Sequence, residues 1–194
     1  DKTFGYVTWP NFEDPLPAVE GYADFLKRLN EGEFTARTQA PGIIIDMRSN
    51  GGGWDVQYRT MGSYLFTPEQ PLAYRWAEDA EFDAATQTWK PDFQYDWPLS
   101  APDPAAYFPG DVVVLIDPSC GSSCEFFTAM LQSSGRATAV GQYASNGAGG
   151  SIKRASLPGG LSFTYPYTGV VFADTNDLVL EAKGVEPDVR VPVT

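Results

Sequence analysis

Two short apolar runs punctuate the chain, GIIIDM at 42–47 and DVVVLID at 111–117, and each is followed by a stretch with helical spacing. Unbroken apolar runs of this length are the pattern of strands covered on both faces, and strand-then-helix twice over predicts βαβ logic around a largely parallel central sheet. Ahead of them, TFGYVTW is rich in β-branched and aromatic residues and predicts a strand ended by Pro10. From Leu16, LPAVEGYADFLKRLN places Val19, Tyr22, Leu26 and Leu29 on one helical face, with Asp14 as N-cap and Gly32 as stop.

The rhythm breaks at 67–110, a segment dense in proline, acids and aromatics that reads as an insertion between two βα units. Its Trp76, Trp89, Phe93, Tyr95 and Trp97 would cover a sheet edge or flank a binding cleft. Beyond Ala137 the pattern becomes short strands separated by glycine, ATAVGQ, GGSIKRASLP, GLSFTYPY and TGVVFA, which predicts a small C-terminal β meander. The expected architecture is a single α/β domain over residues 1–194.

Composition narrows the chemistry. A net charge of −12, with no basic cluster larger than a pair, would repel a phosphate backbone and excludes nucleic acid as a partner. With no histidine and two cysteines, the usual zinc sets cannot be assembled, and the acidic stretches AEDAEFD and DTND lack the spacing of a calcium loop. No metal or cofactor is expected. No apolar stretch approaches the roughly 18 residues of a membrane helix. The N-terminus DKTFGYV has no signal-peptide features, and a start at Asp1 reads as a mature product, a fragment or a trimmed chain.

Three stretches carry candidate chemistry. In DPSCGSSCEF, 117–126, Ser122 stands just past a buried strand at the first turn of a helix, where helix N–H groups can stabilise an oxyanion. Ser119, Ser122 and Ser123 are equally helix-capping residues, and local sequence favours the cap. In DMRSNGGGW, 46–54, successive glycines leave backbone N–H groups uncovered, which suits an oxyanion site or a tight turn; no lysine follows, so a phosphate loop is excluded. In LEAKGVEPDVRV, 180–191, Glu181 and Glu186 are carboxylates that would orient a base or lie on the surface. Cys120 and Cys124 flank Ser122 at a separation compatible with either a bridge or two small buried thiols.

In this order, GIIIDMRSNGGG, DVVVLIDPSCGSSCEFFTAMLQSSGRATAVGQ, NGAGG and GVEPDV resemble the catalytic domain shared by C-terminal processing peptidases, the tricorn core protease and chlamydial protease-like activity factor. The resemblance implies a crotonase-like β-β-α spiral and a serine peptidase working on peptide or protein substrates through an acyl-enzyme. It carries the nucleophile to Ser122, the oxyanion donors to the N–H groups of Ser123 and Gly52, and a catalytic glutamate to Glu181, with Glu186 structural. Members of the family commonly work outside the cytoplasm, which implies a periplasmic or secreted protein and an oxidised Cys120–Cys124 pair.

The chain departs from the family at the base. Gly147 and Ala148 stand where processing peptidases carry lysine, and Thr8 stands in the strand that supplies the tricorn histidine. GAGG matches the chlamydial branch, whose histidine lies far upstream in a separable segment. Three readings follow: a serine peptidase whose base comes from a preceding segment or a partner, a peptidase using Lys153, and an inactive relative that binds a peptide or apolar ligand in the same cleft.

Overall fold

The computed structural model describes residues 3–13, 17–34, 39–67, 69, 72–78, 81–90, 93–171, 180 and 182–192. The expectations for Asp14 and Glu181 lie outside the described residues. Five strands form the central sheet in the order β1 (Gly5–Thr8), β2 (Gly42–Asp46), β7 (Asp111–Leu115), β8 (Thr138–Gly141) and β12 (Val189–Arg190). All four pairings are parallel. In β2 only the central Ile44 is not fully buried, as an unbroken apolar run requires, whereas β7 buries Val112 and Val114 and half-covers Val113 and Leu115.

Three helices cover the sheet. Helix α1 (Pro17–Asn30) buries Val19, Tyr22, Leu26 and Leu29, the face its spacing predicts. Its end is closed by Gly32 at φ +73°, with the Glu33 N–H donating to the Arg28 carbonyl, so the expected stop is a left-handed cap. Helix α2 (Asp55–Ser63) follows β2, and α3 (Ser123–Ser133) follows β7. From Ser123 to Leu131 every residue of α3 is buried, so this helix is a core element rather than an amphipathic cover. Arg136, just past it, donates to the carbonyls of Leu65, Phe108 and Gly110 and ties the helix end to the segments around it. Among the described residues no helix is long and apolar enough to cross a membrane.

The insertion contains β3 (Leu72–Glu78), β4 (Glu81–Asp83), β5 (Thr88–Lys90) and β6 (Phe93–Leu99), with β3 and β6 paired antiparallel along their full length and β4–β5 forming a hairpin. The strands past Ala137 divide among three sheets instead of forming one meander. ATAVGQ contributes β8 to the central sheet, β9 (Ile152–Ser156) and β10 (Ser162–Pro166) form a separate hairpin, and β11 (Gly169–Val171) joins β3 of the insertion. Glycine punctuation reveals where short strands begin and end but does not encode their partners, which packing decides.

Where β2 ends, Asp46 receives a two-pronged contact from the Arg48 guanidinium, at 2.8 and 2.6 Å, and a 2.5 Å hydrogen bond from the Tyr6 hydroxyl on β1. The guanidinium, with help from Tyr6 and against the cost of burial, holds this carboxyl down to about 2. A folded-state value below the unfolded one, near 3.9, means a stabilising contribution that is complete above the unfolded value and lost as pH falls through the folded one. In urea titrations, the stability gap between the native protein and Asp46→Asn should stay constant from about pH 7 to 5 and close between about pH 4 and 2.

Candidate active site

The chain leaves β7 through a turn built on Asp117, whose Oδ1 accepts the N–H groups of Ser49, Ser119 and Cys120 at 3.0–3.1 Å. It then passes Ser122 at φ +53° and ψ −122°, a conformation that a residue with a Cβ seldom adopts, at the strand-to-helix corner. Cys120 and Cys124 are joined as a disulfide across this corner, with Cα atoms 5.4 Å apart. Closing so short a loop stabilises by about 2 kcal/mol in the chain-entropy account. That is comparable to the roughly 1–3 kcal/mol such a backbone conformation costs. Backbone bonds pin the corner further: Gly121 N–H to Asn50 O, Asn146 N–H to Cys120 O and Ser122 N–H to Ala148 O, all 2.9–3.0 Å.

Beneath the corner lies Glu125, third residue of α3 and fully buried. Its Oε1 accepts Ser145 Oγ at 2.5 Å and the Gly147 N–H at 2.6 Å; its Oε2 accepts the N–H groups of Ala148 and Ser122 at 3.0 and 3.1 Å. One carboxylate therefore gathers four donors from two segments, and a buried acceptor so satisfied is rigid because every loss leaves a polar atom dry. Ser145 extends the network, since its Oγ also accepts the Val185 N–H at 2.6 Å from the GVEPDV stretch. Asp188 in the same stretch accepts from Gln132 of α3 and from the Ala139 N–H of β8.

The glycine loop packs directly on the corner. A Cβ on Gly52, which has φ +104°, would stand 2.7 Å from Ser122 Cβ and 2.8 Å from Gly121 O, so glycine is required by conformation and by space. The Gly52 N–H is donated to Asn50 Oδ1 at 2.8 Å, while Gly51 and Gly53 line the cleft. Asn50 is itself fully buried and holds the Trp9 carbonyl through Nδ2. The N–H of Ser123 has no acceptor among the described residues, and the Ser123 hydroxyl reaches Gly53 O at 2.7 Å and Asp55 Oδ1 at 3.2 Å.

These parts border a cleft of about 1010 Å³ whose walls include Trp54, Val56, Ile152 and Pro166. Helices α2 and α3 both begin at its rim, so two positive dipole ends face one space in a chain of net charge −12. Asp55 is the titratable side chain among the residues lining it. The arrangement offers a hydroxyl and an anion-stabilising environment in the same cleft, the two requirements for attack on a carbonyl.

Of the residues singled out in the sequence, Ser122, Ser123, Gly52, Cys120 and Cys124 meet at this corner. Lys153 does not line the cleft: its ammonium lies 3.8 Å from the centre of the Tyr167 ring, and strand alternation sets it opposite to Ile152, the β9 residue that does. Glu186 is exposed, 2.5 Å from Arg190. The roles of Glu125, Asn50, Ser145 and Asp55 go beyond the sequence reading. Only Glu125 carried a local signal, as the acid of a Ser-x-x-Glu helix start.

The family model for peptidase family S41 matches residues 3–191. Among solved structures, the photosystem II D1 C-terminal processing protease is 18% identical at a TM-score of 0.64, covering 96% of this chain and 42% of that one. Mature CPAF is 19% identical at 0.66, covering 96% and 46%. The tricorn protease is 19% identical at 0.59, covering 97% and 15%. The chain thus spans about half or less of the length of these proteins, and at such identities the likeness is one of fold.

Glu125→Gln keeps the side-chain volume but turns an NH₂ toward groups that are all donors; it should lower unfolding free energy by about 2–4 kcal/mol, read from denaturant midpoints at constant m. Gly52→Ala should also destabilise, by about 2 kcal/mol or more, because the loop must retreat from the corner.

Proposed function

The chain belongs to peptidase family S41 and is a peptidase domain, and from that premise we propose that it hydrolyses peptide bonds with Ser122 as nucleophile. The observation that carries this reading is the conformation of Ser122, strained, half-buried and braced from four directions at the mouth of a cleft. Its Oγ attacks the scissile carbonyl carbon, its proton passes to a base, and the tetrahedral oxyanion is received by the Ser123 N–H and by the N–H of Gly53. We assign Gly53 rather than Gly52 because the Gly52 N–H already serves Asn50. Collapse expels the amine, which takes the proton, and water releases the acyl group from Ser122 by the reverse roles.

The base is supplied from outside this chain, by another segment of the protein or by a partner. No histidine occurs in the sequence, no lysine lines the cleft among the described residues, and Asp55 is engaged with Ser123. The GAGG stretch, without the lysine of the processing peptidases, favours the tricorn and chlamydial side of the family. The substrate is a peptide or protein. The disulfide at the corner supports work in an oxidising compartment, periplasmic or extracellular.

A fluorophosphonate tests the nucleophile. Intact mass of this chain, taken with the segment or partner that supplies the base, should show one adduct, mapped to Ser122, and Ser122→Ala should show none. An adduct elsewhere, or none even with the segment or partner that supplies the base present, would refute the assignment and favour a domain that only binds its ligand.

A further inference from the structure

Ser123 bears two groups with separate partners. Its N–H has no acceptor among the described residues, and its hydroxyl, on a fully buried residue, points across to the glycine loop, 2.7 Å from the Gly53 carbonyl and 3.2 Å from Asp55 Oδ1. A hydroxyl has one hydrogen to give, and here two acceptors of the same loop compete for it. The remaining hydrogen bonds of residues 52–54 run elsewhere: Phe12 N–H to Gly52 O, Trp54 N–H to Phe12 O, Gln57 N–H to Trp54 O, and Gly52 N–H to Asn50. Those with Phe12 anchor the loop on the side of β1. Among the described residues, the bond that crosses from Gly53 to the nucleophile corner is the one from Ser123.

We infer that the Ser123 hydroxyl is a positioning group that clips the glycine loop to the nucleophile corner and fixes the spacing of the two N–H donors. The inference rests on Ser122 as nucleophile and adds a residue to that site. The two donors belong to different chain segments, Ser123 to the start of α3 and Gly53 to the approach to α2. An oxyanion hole works only if its donors are in place before charge develops, and a displacement near 1 Å can cost on the order of 100-fold in rate. A backbone with φ +142° at Gly53, next to another glycine at +104°, has wide freedom unless something fixes it. Asp55, at the first position of α2, is the second acceptor and keeps the hydroxyl aimed at the loop when the chain breathes.

The clip makes a demand that a merely structural hydrogen bond does not. Ser123→Ala keeps a good helix former at the first position of α3, so the fold should persist, with a melting temperature lowered by the unpaired Gly53 carbonyl. Ser122 and its disulfide brace are untouched. The saturating rate of fluorophosphonate adduct formation should fall roughly 10- to 100-fold, because the phosphonyl oxygen occupies the oxyanion position, while the reagent concentration giving half that rate stays within about twofold. Amide hydrogen exchange at residues 52–55 should speed up in the same variant.

Both measurements are made on the native protein with the segment or partner that supplies the base present. A Ser123→Ala rate within about twofold of native overturns the clip. So does a lower rate with unchanged exchange at 52–55, which would place the effect elsewhere, or a parallel loss of reagent affinity, which would mean general collapse of the cleft. If the native chain forms no adduct, the nucleophile assignment fails instead, and the exchange measurement still reports whether the hydroxyl holds the loop.

Discussion

A carboxylate buried without a neighbouring cation must be surrounded by donors, and Glu125 meets that constraint with four, one of them the Ser122 amide itself. Much of the site's geometry follows from that demand. To bring the Gly147 and Ala148 N–H groups onto the carboxylate, the 145–148 segment must fold over α3, which puts the Ala148 carbonyl within reach of the Ser122 N–H. Ser145, held by Glu125, in turn fixes Val185 and so draws the C-terminal stretch against the sheet. The start of α3 is therefore tied to its surroundings more tightly than to its own strand.

The fold was largely legible because its framework obeys periodicity. GIIID and DVVVL announce themselves as buried strands, and Val19, Tyr22, Leu26 and Leu29 as a helical face, since burial imposes those patterns whatever the partners. Pairing is different. β11 reads as a strand from its β-branched residues, yet nothing local in Gly169–Val171 indicates that it lies against β3, nearly a hundred positions earlier. Helix α3, buried from Ser123 to Leu131, is visible in the sequence as a helix but not as a core helix, because its run of Phe126, Phe127, Ala129, Met130 and Leu131 also fits a broad apolar face.

Within the site, legibility divided along the same line. Residues whose type is constrained by the backbone, such as Gly52 beside the corner, or by a pairing partner four positions away, as in Cys120–Cys124, leave a trace in sequence. Residues that act by long-range contact leave none: Asn50 reaching Trp9, Ser145 bridging Glu125 and Val185, and Ser123 reaching Gly53 are ordinary polar residues until the chain is folded. The same holds for Lys153, which sequence proximity to GAGG places near the cleft and strand alternation turns away from it.

The pairing of β11 with β3 gives the 67–110 insertion a standing that its composition does not suggest. Immediately before β11, Thr168 presents its Oγ1 to the Ser151 N–H, and a Cβ on Gly150 would lie 1.8 Å from the Thr168 carbonyl. The wall of the cleft is thus laid against a strand whose other attachment is the insertion. Shortening the insertion during evolution would strip β11 of its partner and loosen the support of that wall, so its length can drift only at the β4–β5 tip, while the β3–β6 stem is inherited together with the cleft.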